Sequence, residues 1–261
     1  MNLLFDIGGT NMRFATSVNG RKLDKVYILP TPKTYDAALD AFRGIVVETA
    51  EAGKINRVIG GVPRFAKDKL TFWHTNKASE AISKICKAPV SIFNDAELGA
   101  LGEAHFGAGQ KAKIMGYLTF STGFGGARIV KGQIDQNYFG FEPKLQIADV
   151  DGNSYPSISL HATGRGLRNK YGKPAEQLTK QAVWRSAEHW MGVAINNAAV
   201  FWSPEIIVVG GAVAENKKIS FSRLNAFLNK RFKSMPHHPR VVKSELGQLS
   251  GLYGALSLVH K

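Results

Sequence analysis

The sequence predicts an α/β protein built from two similar lobes with a cleft between them. Three observations carry that prediction. Short apolar strands alternate with helical stretches. The segment Leu3-Leu4-Phe5-Asp6-Ile7-Gly8-Gly9-Thr10 is echoed by Gly116-Tyr117-Leu118-Thr119-Phe120-Ser121-Thr122-Gly123-Phe124-Gly125-Gly126, each an apolar strand, a glycine turn with threonine and a second apolar strand. The 261 residues suffice for two lobes of ordinary size. The boundary is set near residue 106, giving lobes over 1–105 and 106–261, with a terminal helix at about 250–261 free to return to the first lobe.

In the first lobe, residues 2–6 and 12–17 read as strands around Gly8-Gly9-Thr10-Asn11, and a third strand is expected at 25–29. Over 37–52, Ala38, Leu39, Phe42, Ile45 and Val46 recur on one helical face. A strand at 57–62, a helix at 78–87 and a buried strand at 90–93 follow. Asn94 then caps a helix reaching Ala104. In the second lobe, strands at 114–120 and 127–130 flank the second glycine turn, and 135–162 is irregular. A long helix spans 180–200 with Thr179 as its cap, a strand at 206–209 ends in Gly210-Gly211, and helices are expected at 221–231 and 251–259.

The hydrophobic share of 44% supports a core, and no apolar run of about 18 residues suggests a spanning helix. Residues Met1 to Asp6 lack the basic flank and long apolar core of a signal peptide and read as a first strand, so a cytoplasmic location is expected. One cysteine, Cys86, excludes an internal disulfide, and no Cys/His cluster offers a structural zinc site. Cys86 reads as a core or surface thiol rather than a nucleophile. The net charge is +14, with the densest basic stretch between Lys217 and Lys243. The Lys and Arg residues are otherwise scattered, and they read as a solvated face. A nucleic-acid surface is the alternative, and nucleic acid is not expected as a partner.

Chemistry concentrates in four segments. In Asp6-Ile7-Gly8-Gly9-Thr10-Asn11, two glycines let backbone N–H groups approach phosphate oxygens, Thr10 adds a hydroxyl, and Asp6 at a strand end can hold Mg²⁺. Alone, such a turn is more often a plain hairpin. Thr122-Gly123-Phe124-Gly125-Gly126 offers a second phosphate cradle; it has neither the dinucleotide fingerprint spacing nor a P-loop lysine. Gly210-Gly211 after a strand suits the adenosine end of a nucleotide or a simple strand-to-helix turn. Asp95, opening a helix at a strand end, can accept a proton from an attacking hydroxyl. Its other reading is a first-turn charge favouring the helix dipole.

Taken in order, Asp6-Ile7-Gly8-Gly9-Thr10-Asn11, Phe93-Asn94-Asp95-Ala96, Thr122-Gly123-Phe124-Gly125-Gly126 and Pro204 to Gly211 resemble the motifs of the ROK family. Ser250-Gly251-Leu252-Tyr253-Gly254-Ala255 looks like its last helix. That family comprises sugar kinases and sugar-responsive repressors with the two-lobed actin/hexokinase-like (ribonuclease H-like) ATPase fold. The resemblance implies ATP and Mg²⁺ as cofactors and a sugar as substrate. Asp95 becomes the catalytic base, Asn94 and Asn76 sugar contacts, and Gly61-Val62-Pro63 part of the sugar pocket. Gly8, Gly9, Thr10, Asn11, Thr122, Gly123 and Gly125 line the nucleotide phosphates, and Gly210 and Gly211 border the adenosine. A homodimer is an expectation of the same kind.

The sugar side departs from the family. Family kinases carry a Gly-Glu-x-Gly-His segment followed by three zinc-binding cysteines; here Gly140-Phe141-Glu142-Pro143-Lys144-Leu145-Gln146 stands in its place, without the His or the cysteines. Structural zinc is not expected. Glu142 is the candidate for the family's sugar-binding Glu. A second family Glu is missing from Ser159-Leu160-His161-Ala162-Thr163-Gly164, where His161 is either a replacement contact or an ordinary helix-start residue. Arg64 replaces a glycine that often follows Val-Pro. The expected function is ATP-dependent phosphorylation of a sugar hydroxyl, with a non-catalytic sugar- or nucleotide-binding regulator as the alternative. An acetate- or glycerol-kinase relative fits less well, given the short chain and the Phe93–Ala96 segment.

Overall fold

The computed structural model describes residues 1–63, 76–148 and 156–260. The chain divides into two compact units, Met1–His105 with Leu249–Lys261, and Phe106–Gln248. Arg64 and the stretch to Thr75 lie outside the described residues, as does the side chain of Asn76. Among the described residues no helix is long and apolar enough to cross a membrane.

The first unit is built on β1 (Asn2–Ile7), β2 (Asn11–Ser17), β3 (Val26–Pro30), β4 (Arg57–Val62) and β5 (Val90–Asn94), in the order β3-β2-β1-β4-β5. The β1–β2–β3 meander is antiparallel, and β4 and β5 add in parallel. Residues Leu3, Leu4, Phe5 and Ile7 are all buried, as expected of a strand covered on both faces. Strand alternation sorts them. Leu3, Phe5 and Ile7 share a core with Phe42 and Ile82 of helices α1 (Tyr35–Glu48) and α2 (Asn76–Cys86). Phe42 meets the Phe5 and Phe14 rings edge-on at 5.2 and 4.9 Å. Asp6 falls on the opposite face. There it meets the first turn of the terminal helix, where a Cβ on Gly251 would stand 2.7 Å from its carboxyl carbon.

The second unit repeats the plan. Strands β6 (Ile114–Phe120), β7 (Phe124–Val130), β8 (Gln133–Ile134), β9 (Ile206–Gly210) and β10 (Arg240–Lys243) lie in the order β10-β9-β6-β7-β8. Read from β8, this matches the first sheet strand for strand: an antiparallel meander followed by two parallel additions. The sequence echo between residues 3–10 and 116–126 therefore marks a repeated topology.

The remaining helices are α3 (Asp95–Phe106), α4 (Ser159–Ala162), α5 (Gly164–Tyr171), α6 (Gln181–Trp202), α7 (Phe221–Arg231) and α8 (Ser250–Ser257). Helix α6 supplies much of the second core, including Trp184, Met191 and Ile195. Buried Glu188 takes a two-pronged hydrogen bond from Arg223 of α7, at 2.5 and 2.6 Å.

Three expectations need correction. Lys180, not Thr179, precedes α6, and its side chain makes no capping hydrogen bond. Helix α1 stops at Glu48, where Thr49 turns its hydroxyl back to the Ile45 carbonyl (2.8 Å) and a short 3-10 turn follows. Strand β7 begins at Phe124, so Gly125 and Gly126 belong to the strand, opposite Thr119 and Leu118. Strands β8 and β10 and helix α5 were not anticipated. The stretch read as irregular holds a 3-10 turn at Pro143–Leu145 and the short α4.

Candidate active site

In the first unit the chemistry gathers where the parallel strands β1, β4 and β5 end. Register pairs Asp6 with Gly61, and Gly61 and Val62 with Phe93 and Asn94. Crevices at the carboxyl ends of parallel strands are where open α/β sheets bind ligands. Asn94 Oδ1 accepts the N–H groups of Ala96 and Glu97, both at 3.1 Å, which makes it the N-cap of α3. Asp95 Oδ1 accepts the Ala96 N–H at 2.8 Å, so the carboxylate is held over the first turn of α3. A side chain on Gly61 would come within 3.1 Å of the Asp95 Cα; its absence lets the strand end and the helix start lie together.

The first glycine turn is a tight hairpin. Gly8 donates its N–H to the Asn11 carbonyl at 2.9 Å, so that group is already engaged and the exposed tip is Gly9-Thr10. Thr31 braces the turn from the end of β3: its N–H bonds the Thr10 carbonyl at 2.9 Å and its hydroxyl the Gly8 carbonyl at 2.7 Å.

Hairpin register sets Arg13 opposite Asp6. One guanidinium nitrogen lies 3.6 Å from the Asp6 carboxylate, and Arg13 Nε is buried without a hydrogen-bond partner. Burial above all, and then the negative charge of Asp95, push the Asp6 carboxyl up to about 7 against the opposing pull of Arg13. A carboxyl raised by burial and by a neighbouring carboxylate, beside an incompletely satisfied cation, forms a site that accepts a cation and an anion together. Magnesium bound to a polyphosphate is such a ligand, since the ion is commonly held by one or two carboxylates plus substrate phosphates. Among the described residues no group of three or more His, Cys, Asp or Glu side chains could hold a metal unaided. Cys86 is buried in the first core, and its thiol is pushed up to about 11 by burial.

In the second unit, Thr122, Gly123, Gly210 and Gly211 meet at the ends of β6 and β9, where Thr119 pairs with Gly210. The Ser121 and Thr122 carbonyls accept the Gly164 and Arg165 N–H groups at 2.8 and 3.2 Å, joining this turn to the start of α5. A side chain on Gly123 would meet nothing within 4 Å, so packing does not explain a glycine there. Gly211 has a structural reason of its own. Its φ is +93°, and a Cβ would stand 2.5 Å from the Phe120 carbonyl oxygen. Its N–H donates to Glu215 at 3.2 Å. Gly125 lies within β7.

The sugar-side candidates are placed differently. Glu142 precedes the 3-10 turn and pairs with Lys144 at 3.1 Å. His161 stacks on Trp190 of α6 with ring centroids 4.7 Å apart; its Nδ1 is buried without a partner, and burial followed by the charge of Lys170 lowers its pKa. Arg13, Thr31 and Glu215 escaped the sequence reading, because each acquires its place through register or a turn rather than through a local motif.

A model of the ROK family matches residues 3–261. Among curated proteins, the bifunctional enzyme NanE/NanK of Brucella melitensis is 25% identical over 285 residues, covering 98% of this chain and 53% of that enzyme. The chain thus spans about half the length of that relative. A glucokinase of Streptomyces coelicolor is 23% identical over 309 residues, covering 98% of this chain and 96% of its own. Among solved structures, a ROK family glucokinase from Streptomyces griseus in complex with glucose and AMPPNP superposes with a TM-score of 0.81 at 22% identity, over 99% of both chains.

Proposed function

The chain belongs to the ROK family and has its actin/hexokinase-like fold, and from that premise we propose that it transfers a phosphoryl group from ATP to a sugar hydroxyl. The observation that carries the proposal is Asp95, fixed over the first turn of α3 and close enough to Asp6 for each to feel the other's charge. In this reading Asp95 accepts the proton of the attacking hydroxyl, and Asn94 and Asn76 orient the sugar. ATP with Mg²⁺ would supply the phosphoryl group and neutralise its charge. Asp6 would hold the cation directly or through water. Gly8, Gly9, Thr10, Asn11, Thr122, Gly123 and Gly125 line the phosphates, Gly210 and Gly211 border the adenosine, and Glu142 and His161 are retained as sugar contacts. Arg13 offers its unused Nε–H and its charge beside the first turn. Phosphoryl transfer asks for positioning and charge stabilisation more than for covalent chemistry, which suits this inventory.

The test is ADP release from Mg²⁺-ATP across hexoses, N-acetylhexosamines, amino sugars and acidic sugars. At least one sugar is expected to stimulate release, and Asp95→Asn is expected to cut that rate by about 10²–10⁴-fold, the span general-base catalysis supplies. An unchanged rate in the variant would remove Asp95 from the role.

A second reading, a sugar-binding regulator without turnover, is favoured by one observation: the Glu142 carboxylate is engaged by Lys144, and the His161 ring by Trp190. Sugar binding measured by calorimetry with no ADP release from any member of the panel would select it.

A further inference from the structure

The Lys and Arg residues of the second unit are scattered in sequence, but the fold gathers several of them at one end of its sheet. This is the end where β6, β9 and β10 begin, opposite the end that carries Gly210, Gly211 and Thr122. Backbone hydrogen bonds stitch four segments together there. The Lys131 N–H bonds the Lys113 carbonyl at 2.7 Å, the Glu205 N–H the Ile114 carbonyl at 2.9 Å, and the Arg240 N–H the Glu205 carbonyl at 3.4 Å. Helix α7 ends at the same place. Asn225, near its middle, bonds both backbone groups of Val241, and the Phe232 ring just past its end lies 6.1 Å from His238, two residues before β10. The helix therefore runs against the direction of β10 and delivers Lys230, Arg231 and Lys233 beside Arg240.

Lys113, Lys131, Lys230, Arg231, Lys233 and Arg240 are all exposed, and none has an ion-pair partner among the described residues. From Ser220 to Ser244 the sequence contains no Asp or Glu. Glu205, joined to Ile114 and Arg240 through its backbone, places an acid at this end. Two ordinary explanations reach part of the pattern. Basic residues blunt an edge strand, which accounts for Arg240, and cations in a last helical turn complement the helix dipole, which accounts for Lys230 and Arg231. Neither reaches Lys113 and Lys131, which flank the inner strands β6 and β7. Adjacent strands lie about 4.8 Å apart, so the row from Arg240 to Lys131 spans roughly 14 Å. The last turn of α6, which leads through Ser203 into β9, adds Phe201 with 81% of its surface exposed.

We propose that this end of the second unit binds single-stranded nucleic acid, with the cations on the phosphates and Phe201 stacking on a base. A row of cations fits any polyanion; a bare aromatic beside it fits a chain that carries bases. The surface lies at the far end of the sheet from Gly210 and Gly211, and the inference does not depend on the kinase reading.

Fluorescence anisotropy with labelled dT20 tests it in the full chain, at several KCl concentrations from 50 mM upward. Binding should weaken linearly in log[KCl], with a slope of about −0.7 for each phosphate engaged. The triple variant Lys113→Glu/Lys131→Glu/Arg240→Glu should lose at least about tenfold in affinity and show a shallower slope. Phe201→Ala should lose about fivefold or more at an unchanged slope, the low end of what one stacked base contributes. Lys33→Glu/Lys77→Glu/Lys84→Glu carries the same net charge on exposed residues of the first unit and should bind within about twofold of the parent. Thermal melts of every variant separate lost binding from lost folding. The proposal is overturned if the parent does not bind at 50 mM KCl, or if both triple variants lose affinity equally. It is also overturned if Phe201→Ala is silent while inorganic polyphosphate displaces dT20 at equal phosphate, which would leave a simple polyanion surface.

Discussion

Asp6 lies between the Arg13 guanidinium and the first turn of α8 with 14% of its side chain exposed. Its carboxyl titrates near 7 in the folded protein against 3.8 ordinarily, so across that interval the folded state holds a proton that the unfolded chain has released. A group with a raised folded pKa stabilises the fold fully below its unfolded pKa, and that stability drains away as pH rises through the folded one. In the absence of nucleotide and metal, the melting temperature of Asp6→Asn relative to the parent should therefore climb between pH 5 and pH 8. Paired melts across that range check it, and a difference independent of pH would mean that Asp6 does not titrate there. At this scale the acids were legible, because Asp6 near the end of β1 and Asp95 just past the end of β5 each stand in a recognisable segment. Arg13 was not, since it looks like any mid-strand residue until the hairpin register is known. The Gly8-to-Asn11 hydrogen bond fixes that register, so assigning a two-residue tip to the first glycine turn would have set Arg13 opposite Asp6.

Helices α3 and α8 cross with their backbones in contact, and this crossing sets the helix that carries Asp95. A Cβ on Gly254 would stand 1.8 Å from the Leu98 carbonyl oxygen, and one on Gly102 2.1 Å from that of Ser250. Both obstacles are main chain and cannot rotate away. Beside the crossing, fully buried Glu103 accepts the Ser250 hydroxyl at 3.0 Å. Gly254→Ala should therefore cost about 3 kcal/mol or more, at or beyond the upper end of ordinary overpacking. It should also lower turnover through displacement of α3. Urea unfolding of the variant checks the first effect, and a loss under about 0.5 kcal/mol would mean the helices can separate freely. Most elements were readable from apolar runs and periodicity: β4 and α7 occupy the stretches expected of them. Strand β10 was hidden because four residues with Val241-Val242 between Arg240 and Lys243 carry no period and look like part of a basic run. Helix α5 carries its own boundary signals. Thr163 caps it by accepting the Gly166 N–H at 3.0 Å, and Gly172 closes it in the left-handed region, the start and stop signals a helix usually carries.

The two sheets share one topology, yet the units differ in how the chain completes them. The second unit is one uninterrupted stretch, Phe106–Gln248, whereas the first takes its last helix from the far end of the sequence. That helix buries Leu252, Ala255 and Leu256 and packs on β1 and β4, covering the sheet face on which Leu4 and Asp6 lie. Without it, residues 1–105 would expose that face to water, along with the α3 surface fitted around Gly102. A contiguous unit with its own core can fold alone, and the core around Trp184, Met191 and Ile195 draws only on residues within the second unit. Residues 106–248 expressed alone should therefore show a cooperative thermal transition and dispersed amide resonances. Residues 1–105 should show neither until a segment carrying 249–261 is fused through a flexible linker. Circular dichroism melts and proton–nitrogen correlation spectra of the three fragments decide it. A cooperative 1–105 would mean that α8 is dispensable to the first sheet, and an unfolded 106–248 would mean that the second core depends on residues outside it.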